Sequence, residues 1–197
     1  AVIGAILMIA KNKTWKNIGA VSFGIAAVFA AMRGFTFLAA PVTNIPQVES
    51  ALANLNTSHL MSMATGTIIT AAIQSSTAMT GVIMGFLAEG NLNMDSAVAA
   101  MLGANIGTCI TALLASIGAG KEARLTAYAH VWLNIAGAAV FYPFIDQIAA
   151  FAPQTAVRAE VQLAHVSVAF NIISSLLILP VAESFGRMIE KIHGGSS

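Results

Sequence analysis

The residues with the clearest capacity for chemistry form a short polar cluster inside an apolar run. The run, Leu60–Ala88, has 29 residues and no charged side chain, and its centre reads Gln74-Ser75-Ser76-Thr77, with Thr80 just beyond. Polar side chains at mid-membrane depth are costly, so they tend to face a partner or a water-filled site. A hydroxyl can donate to an oxyanion or accept a cation. The cluster is therefore predicted to bind a solute.

A second polar cluster lies in the next apolar segment, Ser96–Ala119. Its centre reads Leu102-Gly103-Ala104-Asn105-Ile106-Gly107-Thr108. Glycines around an asparagine lower helix propensity, so we expect a second broken helix here, at the depth of the first cluster. Asn105 and Thr108 would then face the Gln74–Thr77 cluster. The alternative is that Gly103-xxx-Gly107 only packs helices, as small-xxx-small motifs commonly do.

The composition defines the class of protein. Hydrophobic residues make up 57% of the chain and charged residues 9%, and the mean hydropathy is +0.81. A soluble domain has about a quarter charged residues, so the sequence predicts an all-α integral membrane protein. A net charge of +1 offers no basic surface for nucleic acid. No Ser/His or carboxylate pair lies at a spacing typical of catalysis, so we do not expect an enzyme.

The length of Leu60–Ala88 indicates how the run meets the membrane. One continuous helix would be roughly 43 Å long, well past the ~30 Å hydrocarbon core of a bilayer. We predict a re-entrant hairpin at 60–88, with half-helices Leu60–Ile73 and Ala78–Ala88 and the break between them near the midplane. Lys and Arg gather on one side of membrane proteins, and a hairpin puts seven of the nine on one side. These seven are Lys11, Lys13, Lys16, Lys121, Arg124, Arg187 and Lys191.

A break at Gln74–Thr77 would leave two helix ends inside the membrane. The N-terminus of the second half-helix has free N–H groups and partial positive charge, which favour an anion. The C-terminal carbonyls of the first half-helix suit a hard cation such as sodium. Broken helices of secondary transporters present this pair of sites.

Three motifs in order resemble the type II sodium-dependent phosphate cotransporters and their bacterial relatives. The first cluster is similar to the QSSS signature of that family, with Thr77 in place of the usual third serine. The stretch Leu102–Thr108 resembles its G-x-N-I-G-T motif. The next helix is also similar, in Ala129-His130-x-x-x-Asn134-Ile135-x-Gly137 and Phe141-Tyr142-Pro143. The resemblance extends from about Thr65 onward and, more loosely, over Lys11–Ala40.

The resemblance implies sodium-coupled symport of inorganic phosphate by two inverted repeats, each with a re-entrant hairpin. Carried over to this chain, the phosphate contacts are Gln74, Ser75, Ser76, Asn105 and Thr108. The contacts to the co-transported sodium are Ser76, Thr77 and Thr80. Because the chain has one QSS motif, we expect it to be a single repeat. It resembles the second repeat of the family.

The residues and the resemblance together set expectations for organisation and partners. Residues 1–193 should form a single membrane half-domain, followed by a short tail at 194–197. The expected partners are phosphate, sodium, the lipid bilayer, and a second repeat or a second copy of the chain. The expected location is the inner (plasma) membrane, with several crossings.

Two other functions remain open from the residues themselves. In a helical membrane scaffold or assembly domain, the hydroxyls would only bond their own backbone or join helices. A sodium-coupled transporter of another small solute would use the same two helix ends. If the chain is a scaffold, sodium phosphate should not change its thermal unfolding temperature. If it transports another solute, sodium should raise that temperature and phosphate should add nothing to the rise.

Overall fold

A computed structural model describes residues 2–43 and 45–195 of the chain, so the end of the expected tail, Ser196 and Ser197, lies outside it. This part of the chain is helical and contains no strand. Its ten α-helices are α1 (Val2–Met8), α2 (Lys13–Thr43), α3 (Pro46–Leu55), α4 (His59–Ile73), α5 (Ser76–Ala88), α6 (Met94–Ser116), α7 (Lys121–Phe141), α8 (Ile145–Phe151), α9 (Ala159–Ile178) and α10 (Ala182–His193).

Within the described residues, four helical segments are long and apolar enough to cross a membrane. They are Lys13–Phe35, Met94–Ser116, Lys121–Gln154 and Ala159–His193. Many large apolar side chains on these segments are exposed, including Phe29 and Leu176. Such a surface is expected where lipid covers a protein. The prediction of an all-α, multi-pass membrane protein is confirmed.

Helix α6 lies at the centre of the fold. It contacts α4, α5, α7, α8 and α9, and every residue from Ser96 to Ala104 is buried. Four alanines fall in that stretch: Ala97, Ala99, Ala100 and Ala104. Because alanine has a small side chain, the neighbouring helices can approach α6 closely.

The packing of α4 on α6 is unusually close. A Cβ atom added to Gly66 would lie 2.1 Å from the Ala100 carbonyl oxygen, and one added to Gly103 would lie 1.9 Å from that of Met63. The Thr67 hydroxyl lies 2.9 Å from the Met63 carbonyl oxygen and 3.0 Å from that of Gly103. The two backbones therefore touch, as small residues allow in membrane helices.

The predicted interruption of α6 at Leu102–Thr108 is wrong, because the helix is continuous from Met94 to Ser116. Gly103 and Gly107 provide contact with α4 instead of a break. A glycine costs about 1 kcal/mol in a helix interior, and the packing on every side of α6 outweighs that cost. Interruptions occur at proline instead, in three short 3₁₀ turns: Tyr142–Phe144, Ala152–Gln154 and Leu179–Val181.

The polar segment before α4 contains a helix. Helix α3 has Pro46 at its first position, where the missing N–H has no intrahelical partner to lose. The Leu55 carbonyl, in the last turn of α3, accepts hydrogen bonds from the Ser62 and Ser96 hydroxyls at 2.8 and 3.0 Å. These bonds join the end of α3 to the first turns of α4 and α6.

Candidate binding site at the hairpin turn

Helices α4 and α5 form a helical hairpin with a two-residue turn. Only Gln74 and Ser75 lie between them, so the second half-helix begins two residues earlier than predicted, at Ser76. Gln74 has a φ of 55° and a ψ of 29°, in the left-handed region. Its backbone N–H donates to the Thr70 carbonyl at 2.7 Å. One left-handed residue thus turns the chain and closes the end of α4.

The backbone at Gln74 is strained. In the described part of the chain, Gln74 is the only non-glycine residue with a positive φ. The left-handed conformation costs an L-residue about 1–2 kcal/mol, whereas glycine adopts it freely. Strain of this kind clusters at functional sites. The exposed Gln74 side chain is therefore a candidate for a role that glycine could not fill.

The first turn of α5 presents hydrogen-bond donors. The Ser75 hydroxyl oxygen accepts a hydrogen bond from the Ala78 N–H at 3.2 Å, which leaves the hydroxyl hydrogen free to donate. Ser76 and Thr77 are the first two residues of the helix, so their N–H groups have no partner inside it. With the partial positive charge of the helix N-terminus, this turn is suited to an anion.

The hydroxyl side chains of α5 lie on different faces. Ser76 and Thr80 are four residues apart, hence on one face, and both are half-buried. Thr77 is exposed and lies about 100° around the helix from Ser76, at 3.6 residues per turn. The structure therefore brings together two of the three predicted sodium ligands, and Thr77 points elsewhere.

The predicted contacts on α6 use their hydrogen atoms within their own helix. The Asn105 side-chain NH₂ donates to the Met101 carbonyl, and the Thr108 hydroxyl donates to the Ala104 carbonyl, each at 2.9 Å. Both side chains are half-buried. In this arrangement Thr108 offers a ligand only lone pairs, which suit a cation better than an oxyanion.

The register of α4 on α6 separates Asn105 from Thr108 in depth. The pairs His59–Asp95 and Thr67–Gly103 each join residues 36 positions apart, so the two helices are parallel. The same register sets Gln74 level with Ile110. Thr108 lies within one turn of that level, and Asn105 lies about 7 Å away along the axis, at about 1.5 Å per residue. The structure thus places Thr108 nearer the hairpin turn than Asn105.

Thr70 is a residue that the sequence analysis did not single out. Its side chain is fully buried, and its hydroxyl has no hydrogen-bond partner among residues 2–43 and 45–195. Thr70 lies one turn before Gln74. A Cβ atom added to Gly107 would lie 2.7 Å from the Cβ atom of Thr70. The available signal was a threonine four residues before the polar cluster, on the face of α4 that carries Gly66.

We expect Thr70→Val to raise the stability of the chain by about 1 kcal/mol, because an unpaired buried hydroxyl costs roughly that much or more. The measurement is unfolding of the purified protein in detergent without sodium. Thr67→Val is the matched control and should lower stability, because the Thr67 hydroxyl is hydrogen-bonded. A loss of stability in Thr70→Val would mean that its hydroxyl has a partner.

Comparison with known proteins assigns the chain to a family. Residues 42–177 match the Na+/Pi-cotransporter family, a range that includes the hairpin, α6, α7 and nearly all of α9. The uncharacterized protein YqeW of Bacillus subtilis (strain 168) is 35% identical over 186 residues, which are 94% of this chain and 61% of that protein. No solved structure matches the chain.

Two further relatives have descriptive names. A candidate inorganic phosphate export protein, YjbB, of Escherichia coli (strain K12) is 22% identical over 191 residues, 96% of this chain and 35% of that protein. Sodium-dependent phosphate transport protein 2C of Homo sapiens is 35% identical over 78 residues, 38% of this chain and 13% of that protein. The chain thus spans less than two thirds of each. The family match covers most of the chain and confirms the motif resemblance: the chain belongs to the Na+/Pi-cotransporter family.

Proposed function

We propose that the chain is one repeat of a sodium-coupled transporter of inorganic phosphate in the inner (plasma) membrane. The observation that carries this proposal is the hairpin turn, where a strained Gln74 adjoins the donor-rich N-terminus of α5. Phosphate agrees with the names of two relatives, one described as a phosphate export protein and one as a sodium-dependent phosphate transport protein. Only the first of these names states a direction, and the direction of transport would be set by the ion and phosphate gradients.

Helix lengths support a re-entrant hairpin. Helices α4 and α5 have 15 and 13 residues, so they are about 22 and 20 Å long and fall short of the ~30 Å core. Helix α6 has 23 residues and is long enough to cross. Because α4 and α6 begin at the same end, a membrane-spanning α6 would hold the hairpin turn inside the bilayer.

The hydrogen-bonding state of each group suggests how the two ligands divide the site. The Ser75 hydroxyl and the N–H groups of Ser76 and Thr77 are free to donate, so we assign them to phosphate. The Thr108 hydroxyl donates to its own helix, and its lone pairs, with the last carbonyls of α4, suit sodium. This assignment moves Thr108 from the proposed phosphate ligands to the proposed sodium ligands, with Ser76 and Thr80.

The two segments that carry the proposed site have no positive side chain. Neither Leu60–Ala88 nor Ser96–Ala119 contains Lys or Arg. Phosphate would therefore depend on the α5 N-terminus and on co-bound sodium for neutralisation. Each ligand then improves the affinity of the other by the same factor, which is the thermodynamic basis of symport.

The site is proposed to be completed by a second QSS-bearing repeat. This chain contains one QSS motif. The side chains of Gln74 and Thr77 are exposed, so a facing hairpin could contact them. A second repeat within a longer polypeptide, or a second copy of this chain, could supply the other half.

The test is phosphate binding by the purified protein in sodium chloride and in choline chloride at equal ionic strength. We expect affinity to fall about tenfold in choline, within the 5- to 150-fold range of typical coupling. Phosphate should raise sodium affinity by the same factor. Equal phosphate affinity in both salts would contradict the proposal. Sulfate serves as the control anion and should not raise sodium affinity as phosphate does.

A further inference from the structure

Three potential metal ligands from separate helices meet at the end of the fold where α4 and α6 begin. His59 is the first residue of α4, and Asp95 and Asp146 lie in the first turns of α6 and α8. The His59 Nε2 atom lies 3.0 Å from Asp95 Oδ2 and 3.4 Å from Asp146 Oδ1. This cluster is at the opposite end of α4 from Gln74, about 22 Å away along the helix.

A single imidazole nitrogen faces two carboxylates in this cluster. An Nε2–H hydrogen can point well at only one of them. Across the described residues, neither Asp95 nor Asp146 forms an ion pair with a lysine or arginine. A cation between the three atoms would bond to all of them at once and would neutralise both carboxylates.

The spacing of the three atoms fits a small transition-metal ion. Zinc binds histidine nitrogen and aspartate oxygen at about 2.0–2.2 Å, which in a tetrahedral site sets neighbouring ligand atoms about 3.4 Å apart. The three ligand atoms here lie within 4.8 Å of one another, and the two distances from Nε2, 3.0 and 3.4 Å, lie just below and at the tetrahedral value. The Asp146 side chain is 75% exposed, which leaves room for a water as the fourth ligand.

We propose that His59, Asp95 and Asp146 form a binding site for a divalent transition-metal ion of the zinc class. The nitrogen ligand disfavours magnesium and calcium, which take oxygen ligands. The ion would join α8 to α4 and α6 at the end of the fold where α4 and α6 begin. Helices α4 and α6 already pack backbone to backbone, so the effect of the ion would be to hold α8 against these two helices.

The experiment is a zinc titration of the purified protein in detergent, followed by calorimetry and by thermal unfolding. We expect one zinc per chain and a rise in Tm with zinc, because an ion that binds the folded state stabilises it. Magnesium and calcium at the same concentration should not raise Tm. Cobalt should give a visible absorption band from a nitrogen- and oxygen-ligated ion.

Substitutions assign the site. Asp146→Asn is the first choice because the side chain is exposed and the change is nearly isosteric, and His59→Gln follows. Each should weaken zinc binding more than about tenfold, since even loss of an outer-shell partner typically costs 10–100-fold. Glu89→Gln and His165→Gln, at exposed residues outside the cluster, are the matched controls and should bind as the parent does.

Two results would overturn the proposal. The first is an absence of zinc binding in the parent protein, in which case the three side chains form only a histidine–aspartate ion pair. The second is zinc binding that Asp146→Asn and His59→Gln leave unchanged, in which case the ion binds elsewhere. Neither result bears on phosphate binding, which uses the other end of α4.

Discussion

Gly103→Ala is expected to destabilise the chain by at least about 3 kcal/mol, at or beyond the upper end of the usual cost of overpacking. The new Cβ would lie 1.9 Å from the Met63 carbonyl oxygen, and that atom belongs to a helix backbone that cannot rotate away. Helices α4 and α6 would have to separate, and the Thr67 contact with Gly103 would be lost. The measurement is the unfolding midpoint in detergent, with the monodisperse fraction after solubilisation as a second readout.

Two glycines with open surroundings provide the control for this substitution. A Cβ on Gly24 of α2 or on Gly186 of α10 would meet nothing within 4 Å. Alanine is the better helix former by about 1 kcal/mol, so both changes should leave the midpoint unchanged or raise it. An unchanged midpoint in Gly103→Ala would mean that α4 and α6 do not touch as described.

The break between α4 and α5 was predictable because its signals are local. An uncharged run too long for one crossing, with polar residues at its centre, can be recognised without knowing what packs beside it. The end of α4 at Ile73 follows from the same pattern. The start of α5 was misplaced by two residues because Ser75, Ser76 and Thr77 all suit the N-cap position, and only the hydrogen bond from the Ala78 N–H to the Ser75 hydroxyl distinguishes them.

The continuity of α6 could not be predicted from the residues around Gly103 and Gly107. Glycine lowers local helix propensity and also permits close contact between helices, and these two effects predict opposite structures. The outcome depended on α4, whose Gly66 faces Ala100. Tertiary packing decided between a break and a contact.

The depth of each polar residue in the fold could not be predicted from the sequence, because it depends on the register of α4 on α6. Asn105 and Thr108 are three residues apart, yet only Thr108 lies within one turn of the level of Gln74. The cluster of His59, Asp95 and Asp146 likewise required knowing which helix ends meet, since its members come from three helices. Thr70 could be identified only from its burial and from the missing partner of its hydroxyl, and both require the structure.

Substitution of three serines should separate the structural role of the hairpin turn from its proposed role in binding. Ser58 and Ser75 are both helix N-caps, with hydroxyl oxygens that accept from Met61 and Ala78, whereas Ser76 caps nothing. Loss of such a cap typically costs about 1 kcal/mol. Ser58→Ala and Ser75→Ala should therefore lower stability by similar amounts, and Ser76→Ala should leave it nearly unchanged.

The order of the same three variants in phosphate affinity should differ from their order in stability. A hydrogen bond to a charged group contributes about 1.5–3 kcal/mol, so Ser75→Ala, which removes a phosphate donor, should weaken phosphate binding by about 10- to 100-fold in sodium. Ser76→Ala removes a proposed sodium ligand and should also weaken phosphate binding in sodium, because the two ligands are coupled. Ser58→Ala, at the far end of α4, should bind phosphate as the parent does. If affinity instead followed stability, falling in Ser58→Ala and holding in Ser76→Ala, the hairpin turn would be a structural element and the anion site would have to lie elsewhere.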